Sequence, residues 1–437
     1  MKNAAAQLAG VLEPLFGGTL PIRIRAWDGS EAGPADAPAV LIRNRRALRR
    51  LLWSPGELGL AQAYITGELD VEGDLTDGFR LIWSTIRERD LAAPTVTLKN
   101  VTPRQIASAA GTALRLGAIG PKPPAPASQA KLDGLLHSKL RDRAAISHHY
   151  DLSNDFYKLL LDNEHLAYSC AYYTSDAPDY TLEDAQRDKL DLVCRKLGLT
   201  EGSRLLDIGC GWGSLSLHAA EHYGARVIGV TLSREQQDFV LAKVAARGLT
   251  DRVEIRLQDY REVPAVLSEF GGFDAVTSIE MGEHVGAENY PTFLGVINGA
   301  LREGGRALIQ QMSRRDRPGG GAFIECYIAP DMHMRPVGET VALIEDAGLE
   351  VRDVHAMREH YVLTVRAWLE TLEKNWDAVV ALVGEEVARV WRLYMVGGAL
   401  VFEEGRMGVD QILAVKRSPD GTAGMPKVRD DGFRVVR

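Results

Sequence analysis

Residues 204–213, Arg-Leu-Leu-Asp-Ile-Gly-Cys-Gly-Trp-Gly, decide the fold. An apolar strand ending in Asp207 runs directly into a turn with glycine at 209, 211 and 213, and Ser214 opens a helix reading Leu215 to His222. Glycine reaches left-handed backbone angles without a Cβ penalty and lets a ligand approach closely, so such a turn holds a nucleoside cofactor. Around it the pattern alternates: helices over 184–197, 214–223, 233–247 and 289–302, strands over 204–207, 226–231, 253–257, 273–279 and 305–312. This predicts an α/β fold with a doubly wound parallel sheet, whose ligands bind outside the carboxyl ends of the strands. Those ends carry Asp207, Thr231, Gln258-Asp259, Ile279-Glu280 and Gln310.

Spacing selects the cofactor. A dinucleotide fingerprint fails twice: its third small position would be Ser214, and the next strand ends in Thr231 rather than in an acid for a ribose hydroxyl. S-adenosylmethionine has no pyrophosphate to cradle, and Asp-x-Gly-x-Gly-x-Gly suits it better than a nicotinamide.

The chain of 437 residues, 46% hydrophobic and 25% charged, is long enough for two or three folded domains. Cys170, Cys194, Cys210 and Cys326 are scattered without a Cys-x-x-Cys pair, which argues against a zinc site or a disulfide framework and for a reducing cytoplasm; no metal is expected. No 18 apolar residues run uninterrupted, so no membrane span is expected. Residues 1–145 hold 19 Lys and Arg against 14 Asp and Glu, whereas the remainder is acidic, 32 against 45. A basic minor domain suits an anionic membrane surface; without an aromatic-interleaved basic stripe, nucleic acid is not expected. The helix of Arg43 to Leu52 is the candidate for headgroup contact, and a short amphipathic helix with Leu8, Val11, Leu12, Leu15 and Phe16 precedes it. The Pro/Gly/Ala-rich stretch 116–130 reads as linker. The expected organisation is a smaller α+β N-terminal domain over 1–115, a linker over 116–137, a catalytic domain over 138–418 and a loosely ordered polar tail over 419–437.

Five motifs occur in order: His148-His149-Tyr150-Asp151; Tyr168-Ser169-Cys170-Ala171-Tyr172; Asp207 to Gly213; Gly229-Val230-Thr231-Leu232-Ser233 with Glu235-Gln236; and Glu283-His284-Val285-Gly286. Together they resemble the cyclopropane-fatty-acid synthase family over about residues 140–415, and the N-terminal region resembles the lipid-binding domain of its two-domain members. The resemblance implies methylation of the cis double bond of a phospholipid acyl chain by S-adenosylmethionine. It places Tyr168, Ser169, Gly209, Gly211, Thr231, Leu232, Gln236, Gln258 and Ile279 in the donor pocket. Asp207, Trp212 and Gly213 of the turn, and Asp259, join them as cofactor-binding candidates.

An isolated alkene is a poor nucleophile, so the site must bring the sulfonium methyl to it in line and away from water. Transfer leaves a carbocation, which calls for aromatic faces, carbonyl or carboxylate dipoles, and a base. Proton loss from the new methyl closes a cyclopropane, and other losses leave an alkene. In the family a bicarbonate ion is the base, in a pocket built by Cys, Glu, His and Tyr. The resemblance maps three of these onto Cys170, Glu283 and Tyr361. The fourth is replaced: the strand reads Ala307-Leu308-Ile309-Gln310-Gln311-Met312-Ser313, with the non-titrating Gln310 at the histidine position. Residues 323–336 also depart from the family pattern; Glu283 or a bound anion is the candidate base, with Glu325 as a further one. Glu280, at a strand end that faces the crevice, has a surface carboxylate at a loop as its plainer alternative reading.

Such departures resemble the branch that installs a 10-methylene group on oleoyl phospholipid, the precursor of 10-methyl (tuberculostearic-type) acids, by a route in which a 1,2-hydride shift precedes proton loss. A cyclopropane synthase and a non-catalytic lipid-transfer protein are the alternatives. The favoured reading implies a cytoplasmic enzyme on the inner face of the membrane, with a separate reductase for the methylene product and a homodimer among its expected partners.

Overall fold

The computed structural model describes residues 3–14, 16–89, 102–130, 137, 141, 154–263 and 271–427. Leu15, the His148–Asp151 motif, part of the linker and the end of the tail lie outside the described residues. The chain divides into two compact units, one of residues 1–129, 321–328 and 376–400, the other of 130–320, 329–375 and 401–437.

The first unit carries α1 (Ala4–Leu12), β1 (Arg23–Ala26), β2 (Glu31–Ala32), β3 (Ala39–Ile42), α2 (Arg45–Trp53), α3 (Glu57–Ile65), β4 (Leu69–Glu72), α4 (Leu75–Glu88) and α5 (Pro103–Arg115). Its sheet runs β2-β1-β3-β4, with β1 and β3 parallel and the other pairs antiparallel. Leu8, Leu20, Ile24, Ile42, Ala47 and Ala63 form its core. Two arginines are used internally. Arg50 on α2 is buried against Glu68 at 2.8 Å, and Arg389 donates to Asp70 at 3.1 Å. Within the Arg43–Leu52 segment named as the candidate for headgroup contact, Arg50 is a core ion pair and Arg49 donates to the Ala118 carbonyl, while Arg43, Arg45 and Arg46 are exposed. The 116–130 stretch is bound to this unit, since the Ala118, Gly120 and Pro124 carbonyls accept from Arg49, Trp53 and Arg50. Linear boundaries also miss that residues 321–328 and 376–400 return to it.

The second unit begins its described part with α6 (Asn154–Leu160) and α7 (Leu182–Leu197), followed by β5 (Arg204–Ile208), α8 (Ser214–Tyr223), β6 (Arg226–Thr231), α9 (Arg234–Ala246), β7 (Val253–Leu257), β8 (Phe273–Ile279), α10 (Tyr290–Ala300) and β9 (Leu301–Ser313). The chain then passes through α11 (Ala322–Tyr327), which belongs to the first unit, and continues in the second with α12 (Val337–Asp346), β10 (Glu350–Ala356) and α13 (Arg358–Lys374); α14 (Trp376–Glu403) lies in the first unit up to residue 400, and β11 (Gly408–Val415) closes the second. The sheet order is β10-β11-β9-β8-β5-β6-β7, parallel from β9 to β7, with β11 antiparallel to both of its neighbours. The doubly wound prediction holds, and the reversed β11 is added to it.

Both faces of the sheet are covered, which is why its strands read as continuous apolar runs. Leu206, Ile208, Ile228 and Val230 pack with Phe293, Leu294 and Ile297 of α10. On the opposite face Leu205 and Val227 pack with Leu190, Val193 and Leu197 of α7 and with Val240 of α9. Strand order reverses between β5 and its neighbours β6 and β8, so a crevice opens at the carboxyl end of β5, where the glycine turn lies.

Candidate active site

The turn after β5 has the backbone its glycines foretell: Gly209, Gly211 and Gly213 have φ of 79°, 54° and 79°. A Cβ on Gly209 would sit 2.9 Å from Met281 Cγ, and one on Gly213 would sit 2.6 Å from Val240 Cγ1. Asp207 is buried and shapes this turn from behind. Its carboxylate accepts from the Ser216 hydroxyl at 2.7 Å and the Thr277 hydroxyl at 3.0 Å, tying β5 to α8 and β8. Burial raises its pKa, against those two bonds.

The pocket over the turn is lined by Tyr168, Ser169, Asp207, Gly209, Gly211, Trp212, Thr231, Leu232, Gln236, Gln258, Asp259 and Ile279. Of the cofactor residues expected, Gly213 alone is absent from the lining; it lets α8 pack on α9. The Thr231 hydroxyl donates to Gln236 Oε1 at 2.8 Å, and Asp259 is held by Arg261 through bonds of 2.7 and 2.6 Å. The wall also includes Lys189, Glu280, Met281 and His284. Burial lowers the His284 pKa to about 4, so its ring is neutral at neutral pH.

Lys189 is nearly inaccessible on α7, a helix fixed by the Thr181–Asp184 capping box and by a left-handed Gly198 at its end. Its ammonium donates to Ser169 Oγ at 3.0 Å, and one turn earlier Gln186 donates to the carbonyls of Ala167 and Ser169. These bonds fix the Tyr168-Ser169-Cys170 segment. Burial lowers the Lys189 pKa, opposed by the charges of Glu280, Cys170, Asp162 and Asp207.

The second cluster centres on Glu280, immediately after β8, one of the strand ends expected to face the crevice. Its carboxylate accepts from the Tyr361 hydroxyl at 2.6 Å, the Gln310 amide at 2.8 Å and the Cys170 backbone N–H at 2.8 Å. Gln310 is oriented in turn by Gln411 on β11, whose amide donates to Gln310 Oε1 at 2.9 Å. Burial raises the Glu280 pKa, opposed by Tyr361, the Cys170 N–H, Gln310 and the Lys189 charge.

Cys170, Gln310 and Tyr361 thus converge as the family resemblance implied, but around a different glutamate. Cys170 contributes its backbone; its thiol donates to the carbonyls of Ala171 and, at 3.7 Å, Met357, and burial holds its pKa well above the usual range. Glu283 is fully buried on the short turn Gly282–His284, accepts from the Met312 N–H at 2.7 Å, and is absent from the pocket lining. Burial and the charge of Glu280 push its pKa up to about 8, so Glu283 is mostly protonated at neutral pH. Glu325 lies exposed on α11, in the other unit.

A path of aromatic rings joins the two clusters. Trp212 and Tyr157 have centroids 4.3 Å apart, Tyr157 and Tyr168 5.9 Å, Tyr168 and Trp368 5.2 Å, Trp368 and Tyr361 6.2 Å, and Tyr361 and Phe402 4.6 Å. Tyr361, Thr364 and Trp368 share a face of α13 at helical spacing, with Thr364 Oγ1 accepting from the Ala171 N–H at 3.1 Å. Ring faces of this kind attract a sulfonium or a carbocation through their quadrupoles.

A glycine turn at the switch point, a pocket without an acid for a ribose hydroxyl after β6, and aromatic walls define the class: an S-adenosylmethionine-dependent methyltransferase. A profile of the mycolic acid cyclopropane synthetase family matches residues 137–412, and the chain belongs to that family. It is 38% identical over 437 residues to a probable fatty acid methyltransferase of Pseudomonas putida, covering 98% of this chain and all of the relative. It is 32% identical over 434 residues to the tuberculostearic acid methyltransferase UfaA1 of Mycobacterium tuberculosis, covering 96% and 93%. Among solved structures, mycolic acid cyclopropane synthase CmaA1 complexed with SAH and CTAB aligns with a TM-score of 0.57 at 32% identity, covering 62% of this chain and 97% of that one. S-adenosylmethionine is the methyl donor.

Proposed function

We propose that the protein methylates the cis double bond of an oleoyl chain in a phospholipid and releases a 10-methylene-branched chain. The alkene π electrons form a bond to the sulfonium methyl as the S–CH₃ bond breaks and S-adenosylhomocysteine leaves. Methyl addition at one alkene carbon leaves a secondary cation at the other. A 1,2-hydride shift converts it to a tertiary cation at the methylated carbon, and loss of a proton from the new methyl gives the methylene branch. The observation that carries this reading is the continuity of the donor wall, through Tyr168 and Trp368, with a cluster of carboxylate, amide and phenol. Such surroundings suit a cation better than they suit an amine or hydroxyl acceptor. The likeness to a relative named for tuberculostearic acid, together with Gln310 at the histidine position, favours the methylene over the cyclopropane.

The first unit supports a membrane role. Leu52, Trp53 and Leu60 are 47%, 53% and 46% exposed beside the exposed Arg43, Arg45 and Arg46, a pairing of apolar and basic groups that suits an anionic bilayer. Among the described residues no helix is long and apolar enough to cross a membrane. Reduction of the methylene product to a methyl branch is assigned to a separate reductase, since S-adenosylmethionine delivers a methyl group and no hydride.

Expression in a host that makes oleoyl phospholipid, followed by analysis of its fatty acid methyl esters, tests the assignment. Methylene and cyclopropane products both gain one CH₂ and are told apart by their proton resonances. Vinylidene signals support the proposal, cyclopropyl signals replace it with ring closure, and an unchanged lipid pool with S-adenosylmethionine-binding protein present refutes it.

A further inference from the structure

We infer that Glu280 is the built-in base of this enzyme, its own carboxylate occupying the cradle of Cys170 N–H, Gln310 and Tyr361 in which a bound bicarbonate was expected. The inference rests on the reading of the reaction as methyl transfer to an alkene.

Three observations converge on it. The carboxylate is gripped by three donors, all of which favour its ionised form. It lines the donor pocket, so it faces the side from which the methyl arrives, whereas Glu283 does not. Glu280 also has φ of +49°, a left-handed conformation costly for a residue with a Cβ and free for glycine. A strained glutamate held where glycine would be relaxed points to a need for its side chain. The Glu280 N–H donating to the Gln310 carbonyl at 2.6 Å holds that backbone in place.

The two neighbouring carboxyls divide the work. Burial and the Glu280 charge push the Glu283 pKa up to about 8, whereas at Glu280 the rise caused by burial is opposed by three donors and the Lys189 charge, all of which favour the ionised form. Environments that separate two carboxyl groups in this way assign acid and base roles. In the step itself, after the hydride shift, a C–H bond of the new methyl breaks, its electron pair becomes the π bond to the adjacent cationic carbon and so quenches the cation, and the proton passes to Glu280. The proton then leaves to solvent with product exchange. No co-reactant is required.

The test compares full-length wild type, E280Q and E280G on oleoyl phospholipid vesicles, in CO₂-free buffer and with added bicarbonate or formate, alongside calorimetric S-adenosylmethionine binding. Wild type should turn over equally well with and without bicarbonate. E280Q should lose roughly 100-fold or more in turnover while binding the donor as wild type does. E280G relaxes the backbone and vacates the cradle with all three donors in place, so formate or bicarbonate should restore part of its activity. Wild type dependent on bicarbonate, E280Q with nearly full turnover, or E280G that binds the donor yet gains nothing from either anion would each overturn the assignment. A wild-type protein that methylates no lipid under any condition counts against the function itself, which is a separate outcome.

Discussion

Tyr361→Phe removes one hydroxyl, 2.6 Å from Glu280 Oε2, and leaves a ring of the same shape against Phe402. A hydrogen bond to a charged group is worth about 1.5–3 kcal/mol, and because the phenol donates, it favours the ionised carboxylate over the protonated one. Its loss therefore raises the Glu280 pKa and shifts the ionisation equilibrium roughly 10- to 150-fold toward the protonated form, at about 1.4 kcal/mol per factor of ten. The base is the ionised form, so the acidic limb of the pH–rate profile moves to higher pH. On that limb turnover drops by the same roughly 10- to 150-fold, and on the alkaline plateau it stays within a few-fold of wild type. Stopped-time assays of lipid methylation across pH, at saturating donor, measure both. Gln310 cannot titrate, so no second ionisation at that position masks the shift. An acidic limb that stays in place, or a plateau lost together with donor affinity, would refute the reasoning and reduce Tyr361 to a packing residue.

Glu283→Gln should flatten the stability–pH curve. With its pKa raised from 4.5 to about 8, Glu283 binds a proton in the folded state that the unfolded chain has released, so its contribution is fully present below pH 4.5 and is lost as pH rises through about 8; thermal melts of wild type and variant across this window read the difference. Lys189→Met should lower stability by about 2 kcal/mol, because the Ser169 hydroxyl loses its charged donor and the buried Glu280 and Asp207 lose an opposing charge, and urea denaturation measures it. Gly211→Ala, with φ of 54° and open space around the added Cβ, should cost only about 1 kcal/mol of backbone strain. Gly213→Ala adds a 2.6 Å clash with Val240 and should lower the melting temperature further, although Gly213 lies outside the pocket lining.

Much of the donor site was legible because it is local. The turn from Asp207 to Gly213, the Thr231-to-Gln236 segment and Gln258-Asp259 each follow a strand, and strand ends in a parallel sheet point to one crevice whatever the details of packing. The base was not legible. Glu280 and Glu283 follow the same strand three residues apart, and the family resemblance favoured the second. The left-handed turn at Glu280 sends its carboxylate to Tyr361, whereas the short turn Gly282–His284 sends Glu283 to the Met312 N–H. The one available signal was a charged residue at a strand end lining a ligand crevice.

Sequence by itself determined the cofactor, the parallel sheet and the family, because glycine spacing and the alternation of strands and helices are short-range properties of the chain. Tertiary structure alone decided which carboxylate meets the cation, because Cys170, Glu280, Gln310 and Tyr361 come from four separate segments and converge only when β8, β9 and α13 are in place. It also decided that Lys189 is buried beside the donor pocket and that residues 321–328 and 376–400 belong to the N-terminal unit. Contacts of that range are set by packing, which a linear pattern does not record.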